Sequence, residues 1–308
     1  MKYFVLSLLL VACLQLPANA QPDYAIPDDV KKIVFIGNSI TYSGQYVAYI
    51  EAWLTLHHPG RRFEYINVGL PSETVSGLSE DGHAGGRFPR PDLRERLGRV
   101  LTQLQPDLVF ANYGMNDGIY LPFDDERFDK FKEGINWMHE AVTASGASIL
   151  HLTPPVFDER KGAAYANVLD IYSDWLISRR YTAAWDVIDV HEGMKRYLED
   201  RRLRDMDFML AKDGVHPNEL GHWIMAREVL RFLGEAIDME TQDDANLEEV
   251  FGNHSDVLEL IVARQRLMRD AWLSSTGHKR PGIEAGLALD IAEKQARELD
   301  QQIREALK

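Results

Sequence analysis

The chain has 308 residues, and its 34 Lys and Arg against 48 Asp and Glu give a formal net charge of −14. The hydrophobic fraction of 45% is sufficient for a globular core, and the length suits one large α/β domain with an additional segment. The negative charge argues against nucleic acid and anionic membrane surfaces as partners, because both are bound through basic patches.

The first predicted element is an export signal over residues 1–20. Lys2 precedes a short apolar segment, and Ala18-Asn19-Ala20 is a small-residue cleavage site. A second processing route remains open, because Leu10-Val11-Ala12-Cys13 resembles a lipobox that would attach a lipid anchor at Cys13. We favour cleavage after Ala20, since the apolar segment before Cys13 would be unusually short. The protein is therefore expected to be exported, either to the periplasm or into the medium.

Cysteine usage and motif content limit the chemistry of the mature chain. Cys13 is the only cysteine, so a chain that begins at Gln21 would have no disulfide, thiol nucleophile or cysteine-based metal site. The sequence also contains no Walker-type phosphate-binding motif and no His-Glu-x-x-His zinc motif. We therefore predict that the protein uses no metal and no other cofactor.

Five short apolar runs alternate with helical patterns along the chain. The runs have the character of strands that are buried on both faces, and the alternation indicates βαβ units in a parallel sheet covered by helices. In such a sheet, ligands bind beyond the carboxyl ends of the strands. The predicted strands are 31–37, 63–68, 107–112, 148–152 and 184–190, and the predicted helices are 44–57, 92–104, 126–144, 164–180 and 218–233.

Four short motifs follow these predicted strands. Three come directly after the first three strands, and the last lies in the loop after the fifth. They supply a hydroxyl nucleophile, backbone N–H donors, an amide donor and a His with an Asp partner, which acyl transfer through a tetrahedral oxyanion requires. Each motif alone is explained equally well as a cap or turn, so the prediction depends on their occurring together. The motifs are Gly37-Asn38-Ser39-Ile40-Thr41, Asn67-Val68-Gly69, Gly114-Met115-Asn116-Asp117 and Asp213-Gly214-Val215-His216.

These motifs resemble those of the SGNH (GDSL-type) hydrolases over roughly residues 30–236. The resemblance implies a three-layer α/β/α flavodoxin-like sandwich with a parallel five-stranded sheet in the order 2-1-3-4-5. It also implies that Ser39 is the nucleophile, that His216 is the general base and then the general acid, and that Asp213 orients His216. Ser39, Gly69 and Asn116 are implied as the oxyanion-hole donors.

The sequence departs from the family pattern at one position. The first motif usually reads Gly-Asp-Ser, whereas Asn38 stands at the middle position here. That Asp is not normally part of the catalytic machinery, so we expect only a changed local hydrogen bond. A Gly-rich, basic loop over residues 82–91 has two open interpretations, a contact to a sugar or carboxylate of the substrate and a flexible surface loop.

The last predicted unit is a helical hairpin over residues 247–308, after a polar break at 243–246. Apolar residues recur at helical spacing on both sides of a turn at 277–282. We expect the hairpin to pack on the hydrolase domain or to pair with a second subunit in a homo-oligomer, without supplying catalytic groups. The basic residues His278, Lys279 and Arg280 have two open interpretations, a solvated surface turn, which we favour, and a segment that reaches the site and influences substrate choice. The recurring apolar residues are Val257, Ile261, Met268, Trp272, Ala292, Ala296, Leu299, Ile303 and Ala306.

Together these features predict an exported serine esterase that hydrolyses small O-acyl esters, with acetyl esters of carbohydrate as the expected substrates. Two alternatives remain open. One is a lipid-directed acylhydrolase or thioesterase on the same scaffold, which would prefer longer acyl chains. The other is a carbohydrate-binding module that keeps the fold without turnover and fails to react with a fluorophosphonate.

Overall fold

A five-stranded parallel sheet forms the centre of the fold. The computed structural model describes residues 24–237 and 250–308. The strands pair in the order β2-β1-β3-β4-β5, and every pairing is parallel, which confirms the predicted flavodoxin-like topology. The strands are β1 (Lys32–Gly37), β2 (Glu64–Asn67), β3 (Leu108–Asn112), β4 (Ser148–Leu152) and β5 (Asp186–Ile188).

Helices flank the sheet, so that β3 is buried along its whole length and the other strands expose residues only at their amino-terminal ends. This burial explains why the strands read as continuous apolar runs in the sequence. Within the described ranges the helices are α1 (Ser39–Ser43), α2 (Gln45–His57), α3 (His83–Gly86), α4 (Leu97–Leu104), α5 (Asp125–Ala144), α6 (Glu159–Thr182), α7 (Val190–Arg202), α8 (Glu219–Phe232), α9 (Ser255–Thr276) and α10 (Leu289–Ala306).

The fifth strand is shorter than the sequence predicts, and a further helix separates it from the Asp213–His216 loop. Val190, which the sequence assigns to the strand, begins α7. The reason is local, because the side chain of Asp189 accepts a hydrogen bond from the N–H of Glu192 and caps the helix. An Asp followed three residues later by a Glu is close to a capping-box pattern, so this helix start could have been found in the sequence.

The two C-terminal helices pair with each other, as predicted, and α9 also lies against α2. Val257 and Ile261 on α9 are fully buried. Gln265 Nε2 donates to Glu51 Oε2 on α2 at 2.6 Å, and Arg264 forms an ion pair with the same carboxylate. Because Glu51 is itself only 2% exposed, these contacts are part of the interior of the molecule.

Two predictions concern residues outside the described ranges. These are the export signal over residues 1–20 and the polar break at 243–246. Of the helices in the described part of the chain, none combines the length and apolar character needed to cross a membrane.

Candidate active site

Ser39 is the first residue of α1, directly after β1. Asn38 caps this helix, because its Oδ1 accepts from the N–H of Ile40 at 3.0 Å. Asn38 is buried, and its Nδ2 has no partner among the described residues. Asn38 therefore provides the same capping acceptor as an Asp would. The local difference from an Asp is the amide group Nδ2, a hydrogen-bond donor that has no acceptor among the described residues.

Ser39, His216 and Asp213 form a continuous chain of hydrogen bonds. Ser39 Oγ lies 2.8 Å from His216 Nε2, and His216 Nδ1 lies 2.6 Å from Asp213 Oδ2. The other oxygen of Asp213 accepts from the backbone N–H groups of Val215 and His216. Burial alone would raise the pKa of Asp213, but the hydrogen bonds from His216 and Val215 hold it below its usual value. Asp213 is therefore ionised beside the imidazole at neutral pH.

A tight turn brings Asp213 and His216 to the same side of their loop. Gly214 has a φ of 86°, in the left-handed region, and a Cβ at this position would lie 2.8 Å from Lys161 Cγ. Glycine meets both requirements because it has no side chain. The side chains of Asp213 and His216 are 55% and 53% exposed, so the pair is open to solvent and to a substrate.

The three predicted oxyanion donors differ in what they contact. The N–H of Ser39, at the first position of α1, has no acceptor within the helix. The N–H of Gly69 donates to Asn67 Oδ1 at 2.9 Å, and Asn116 Nδ2 donates to the carbonyl of Glu73 at 3.1 Å. Asn116 therefore retains a second N–H, whereas the N–H of Gly69 is engaged by its own loop.

Gly69 is also required by packing. A Cβ at this position would lie 2.4 Å from the backbone N of Tyr42 and 2.7 Å from the carbonyl carbon of Thr41. Asn67 reinforces the same approach, because its Nδ2 donates to the carbonyl of Thr41 at 2.6 Å. The segment after β2 is thus held against α1, which begins at Ser39.

Asp117 supports the segment that follows β3. Its carboxylate is fully buried and accepts from the N–H groups of Gly114, Val75 and Ser76 at 2.8 to 2.9 Å. These bonds join the β3 segment to the loop after β2. Asp117 is therefore a structural neighbour of Asn116.

Tyr120 contacts the site and was not identified from the sequence. Its hydroxyl donates to Asn116 Oδ1 at 3.0 Å, so it fixes the acceptor end of that amide. Tyr120 and Ile119 both have positive φ values, 58° and 48°, which are unfavourable for side chains of this size. Such strain persists only where the surroundings over-determine it, and it is common at functional sites.

Two ion pairs hold the loop after β2, one fully buried and one partly buried, and neither was predicted. Arg96 donates through Nε and Nη2 to the two oxygens of Glu73 at 2.6 and 2.7 Å, with both side chains fully buried. Arg90 makes the same two-pronged contact with Glu80 and lies over the ring of Tyr120. Because the guanidinium of Arg90 is occupied in this way, the basic loop at 82–91 is anchored at its end and does not offer Arg90 to a substrate carboxylate.

The basic turn after α9 reaches the same loop. Arg280 Nε donates to the carbonyl of Pro71 at 2.9 Å, and its guanidinium lies 5.4 Å from the ring centre of Phe88. Pro71 is two residues beyond Gly69. The C-terminal segment therefore contacts the loop that carries one of the predicted donors.

Comparisons with known proteins identify the family of the chain. The sequence pattern of the GDSL-like lipase/acylhydrolase family matches residues 35–224. An acetylxylan esterase of Geobacillus stearothermophilus is 24% identical over 225 residues, which are 66% of this chain and 94% of that protein. The crystal structure of an acetylxylan esterase from the same organism superposes with a TM-score of 0.54 at 23% identity, over 67% of this chain and 95% of that one. An α/β hydrolase from the metagenome of Lake Arreo gives a TM-score of 0.53 at 24% identity, over 68% and 97%.

The family pattern and the fold identify a hydrolase of the SGNH type. The chain belongs to the GDSL-like lipase/acylhydrolase family, because the family pattern covers more than half of it, and it is a carboxylic ester hydrolase. Helices α9 and α10 lie beyond the residues that this pattern matches.

Proposed function

We propose that the protein is a serine esterase that removes small O-acyl groups, acetyl above all, from carbohydrate. The observation that carries the proposal is the hydrogen-bond chain from Ser39 Oγ through His216 to Asp213, at 2.8 and 2.6 Å. The similarity to an acetylxylan esterase supports the choice of an acetylated carbohydrate as substrate.

In the first half of the reaction, His216 Nε2 takes the proton of Ser39 Oγ while Oγ attacks the ester carbonyl carbon. The carbonyl π electrons move to oxygen and form the tetrahedral oxyanion. The carboxylate of Asp213 stabilises the imidazolium and fixes the tautomer of His216. The intermediate then collapses, and His216 Nε2–H protonates the alcohol oxygen as its bond to the carbonyl carbon breaks.

The oxyanion accepts hydrogen bonds from the backbone N–H of Ser39 and from the second N–H of Asn116. Gly69 is the third donor in this proposal, and its N–H must be shared with Asn67 Oδ1 or leave it when the charge forms. Donors that are fixed before the reaction stabilise the developing charge at little reorganisation cost.

In the second half, a water molecule attacks the acyl group on Ser39. His216 Nε2 takes a proton from the water and returns it to Ser39 Oγ when the tetrahedral intermediate collapses. The products are the free carboxylic acid, the alcohol that left in the first half, and the enzyme in its starting state.

An ester panel combined with acetylated xylan tests the proposal. We expect acetate release from the polysaccharide, and a decline in kcat/KM on p-nitrophenyl esters as the acyl chain grows beyond acetyl. Ser39→Ala serves as the background control. A maximum at long acyl chains with no acetate release would instead favour the lipid-directed alternative.

We also infer export from the N-terminal sequence, which has a short apolar segment and the cleavage pattern Ala18-Asn19-Ala20. The mass of the mature protein from a cell fractionation tests this inference. A chain that begins at Gln21 supports cleavage after Ala20. A lipidated chain that begins at Cys13 supports the lipobox route, and an unprocessed cytoplasmic chain contradicts export.

A further inference from the structure

A cavity of about 690 Å³ lies beside His216, between the α1–α2 segment, the start of α8 and one face of α9. This volume is within the range of small-molecule sites, which is roughly 300–1,000 Å³. Its lining is rich in polar side chains contributed by all three elements. Those used below are His216, Glu219, His222, Glu259, Gln265 and Arg266.

Two buried side chains of the lining have polar atoms without partners among the described residues. They are Oε1 of Gln265, which is 5% exposed, and Nδ1 of His222, which is 2% exposed. The opposite end of each side chain is fixed, since Gln265 Nε2 donates to Glu51 and His222 Nε2 lies 3.2 Å from Ser43 Oγ. Buried polar atoms are normally paired, so these two unpaired atoms make the wall of the cavity at Gln265 and His222 polar rather than apolar.

Three exposed charged groups of the lining are also available. The side chains of Glu219, Glu259 and Arg266 form no hydrogen bond and no salt bridge with other residues in the described ranges. Carboxylates and an amide oxygen accept hydrogen bonds from hydroxyl groups, and a guanidinium donates to them. This donor and acceptor set suits a neutral ring with several hydroxyl groups.

The position of the cavity decides which part of the ester it would hold. In the proposed reaction, His216 Nε2 delivers its proton to the leaving alcohol oxygen, so this oxygen must lie within hydrogen-bond distance of His216. His216 lines the cavity, whereas Ser39 and the predicted donors Gly69 and Asn116 do not. The alcohol part of the ester, which leaves on the side of His216, is therefore the part that we assign to the cavity.

We propose that this cavity is the subsite for the alcohol part of the ester, a neutral polyhydroxylated ring such as a glycosyl unit, and that α9 provides its specificity. The proposal rests on the proposed esterase function. It adds a role for a helix that lies beyond residues 35–224, which the family pattern matches.

Filling the cavity from α9 tests the proposal. Ala263 lines the cavity and is exposed, so Ala263→Trp occupies its volume without disturbing the core. Gln295→Trp is the matched control, because Gln295 is an exposed residue of α10 that does not line the cavity. The two substrates are methyl xyloside triacetate, which needs the subsite, and ethyl acetate, whose alcohol is too small to use it.

We expect Ala263→Trp to lower kcat/KM for the xyloside at least about tenfold more than for ethyl acetate, which corresponds to about 1.4 kcal/mol of transition-state stabilisation. The Gln295→Trp control should change neither value. Glu259→Gln should lower kcat/KM for the xyloside about two- to tenfold, mainly through KM, because one hydrogen bond of the ring is weakened.

The outcomes separate this proposal from the esterase function. Suppose that the parent enzyme hydrolyses both substrates, and that neither Ala263→Trp nor Glu259→Gln changes the ratio of the two kcat/KM values. The assignment of the subsite is then wrong, and the esterase function stands. If the parent hydrolyses neither, the proposed function fails and the subsite with it. If Ala263→Trp does not fold, Glu259→Gln provides the test: an unchanged ratio of the two kcat/KM values contradicts the subsite, and a lower kcat/KM for the xyloside alone supports it.

Discussion

At the scale of single residues, the amide of Asn116 is fixed at both ends. Its Nδ2 donates to the carbonyl of Glu73 at 3.1 Å, and its Oδ1 accepts from the hydroxyl of Tyr120 at 3.0 Å. Burial raises the pKa of Tyr120 to about 12, so this hydroxyl keeps its proton at neutral pH. The remaining N–H of Asn116 is thereby held in one direction before any charge develops.

Asn116→Ala should lower kcat by about 10²–10³, which is the usual loss for one oxyanion donor. KM should change little, because the hydrogen bond strengthens only as the carbonyl oxygen becomes negative. Steady-state kinetics on a small acetyl ester measure both parameters. Circular dichroism controls for the lost contact to Glu73, and a folded variant with normal kcat would remove Asn116 from the oxyanion hole.

Tyr120→Phe should lower kcat about two- to tenfold with little change in KM, because one neutral hydrogen bond that orients Asn116 is lost. Tyr181→Phe is the matched control, since Tyr181 is 83% exposed. The double variant Tyr120→Phe with Asn116→Ala should be no slower than Asn116→Ala alone, because Tyr120 acts through that amide. Additive losses would show that Tyr120 acts by another route.

At the scale of elements, α6, α7 and the segment that leads to Asp213 are joined through Asp158. The side chain of Asp158 caps α6, and it accepts hydrogen bonds from the guanidinium groups of Arg160 and Arg202. Both of these arginines also donate to the carbonyl of Phe208. The N–H of Asp158 donates to the carbonyl of Gly214 at 3.1 Å. This cluster therefore supports the loop that carries Asp213 and His216.

The stability of the protein should depend on Asp158 in acid. Burial would raise its pKa, but the hydrogen bonds from Arg160 and Arg202 lower it to about 2, below the value of about 3.9 in an unfolded chain. The contribution of the Asp158 carboxylate to the free energy of unfolding is therefore fully present above about pH 4, and it is lost as the pH falls towards about 2. Urea unfolding over this range measures it.

Asp158→Asn is expected to unfold at lower urea concentration than the parent at pH 7, and the difference should shrink between about pH 4 and pH 2. Asp81→Asn is the control, since Asp81 is exposed and makes no hydrogen bond with other described residues. A difference that stays constant across this range would show that the Asp158 carboxylate does not carry the effect.

The sequence predicts those features that depend on residues close together in the chain, and it does not predict contacts between residues that are far apart in the chain. Buried parallel strands are continuous apolar runs, so β1 and β4 were located to within one residue. The pair of Glu73 with Arg96 joins side chains 23 positions apart, and no local pattern connects them. Tyr120 is close to Asn116 in sequence, but its contact depends on two left-handed residues that nothing in their side chains predicts.

At the scale of the whole molecule, the C-terminal helices are part of the same folded body as the sheet. Besides the contacts of α9 with Glu51, the guanidinium of Arg269 donates to the carbonyl of Tyr42 and stacks over its ring at 3.9 Å. Arg99 on α4 donates to the carbonyl of Thr276 at the end of α9. Helix α9 is thus attached to three separate parts of the hydrolase core.

Because α9 shares buried contacts with the core, the protein should unfold in one cooperative transition. Trp fluorescence and far-UV circular dichroism should give coincident urea curves. Glu51→Gln should move both curves together to lower urea concentration, because it breaks a mostly buried ion pair. A separate early transition would show that the C-terminal helices fold independently of the sheet.

The most direct test of the central claim is covalent labelling of Ser39 by a fluorophosphonate, read by intact mass and peptide mapping. We predict stoichiometric labelling of the parent on the peptide that contains Ser39, no labelling of Ser39→Ala, and strongly slowed labelling of His216→Ala, because the nucleophile then lacks its base. Full labelling of a folded Ser39→Ala variant, or a label on another residue of the parent, would contradict the assignment of Ser39 as the nucleophile.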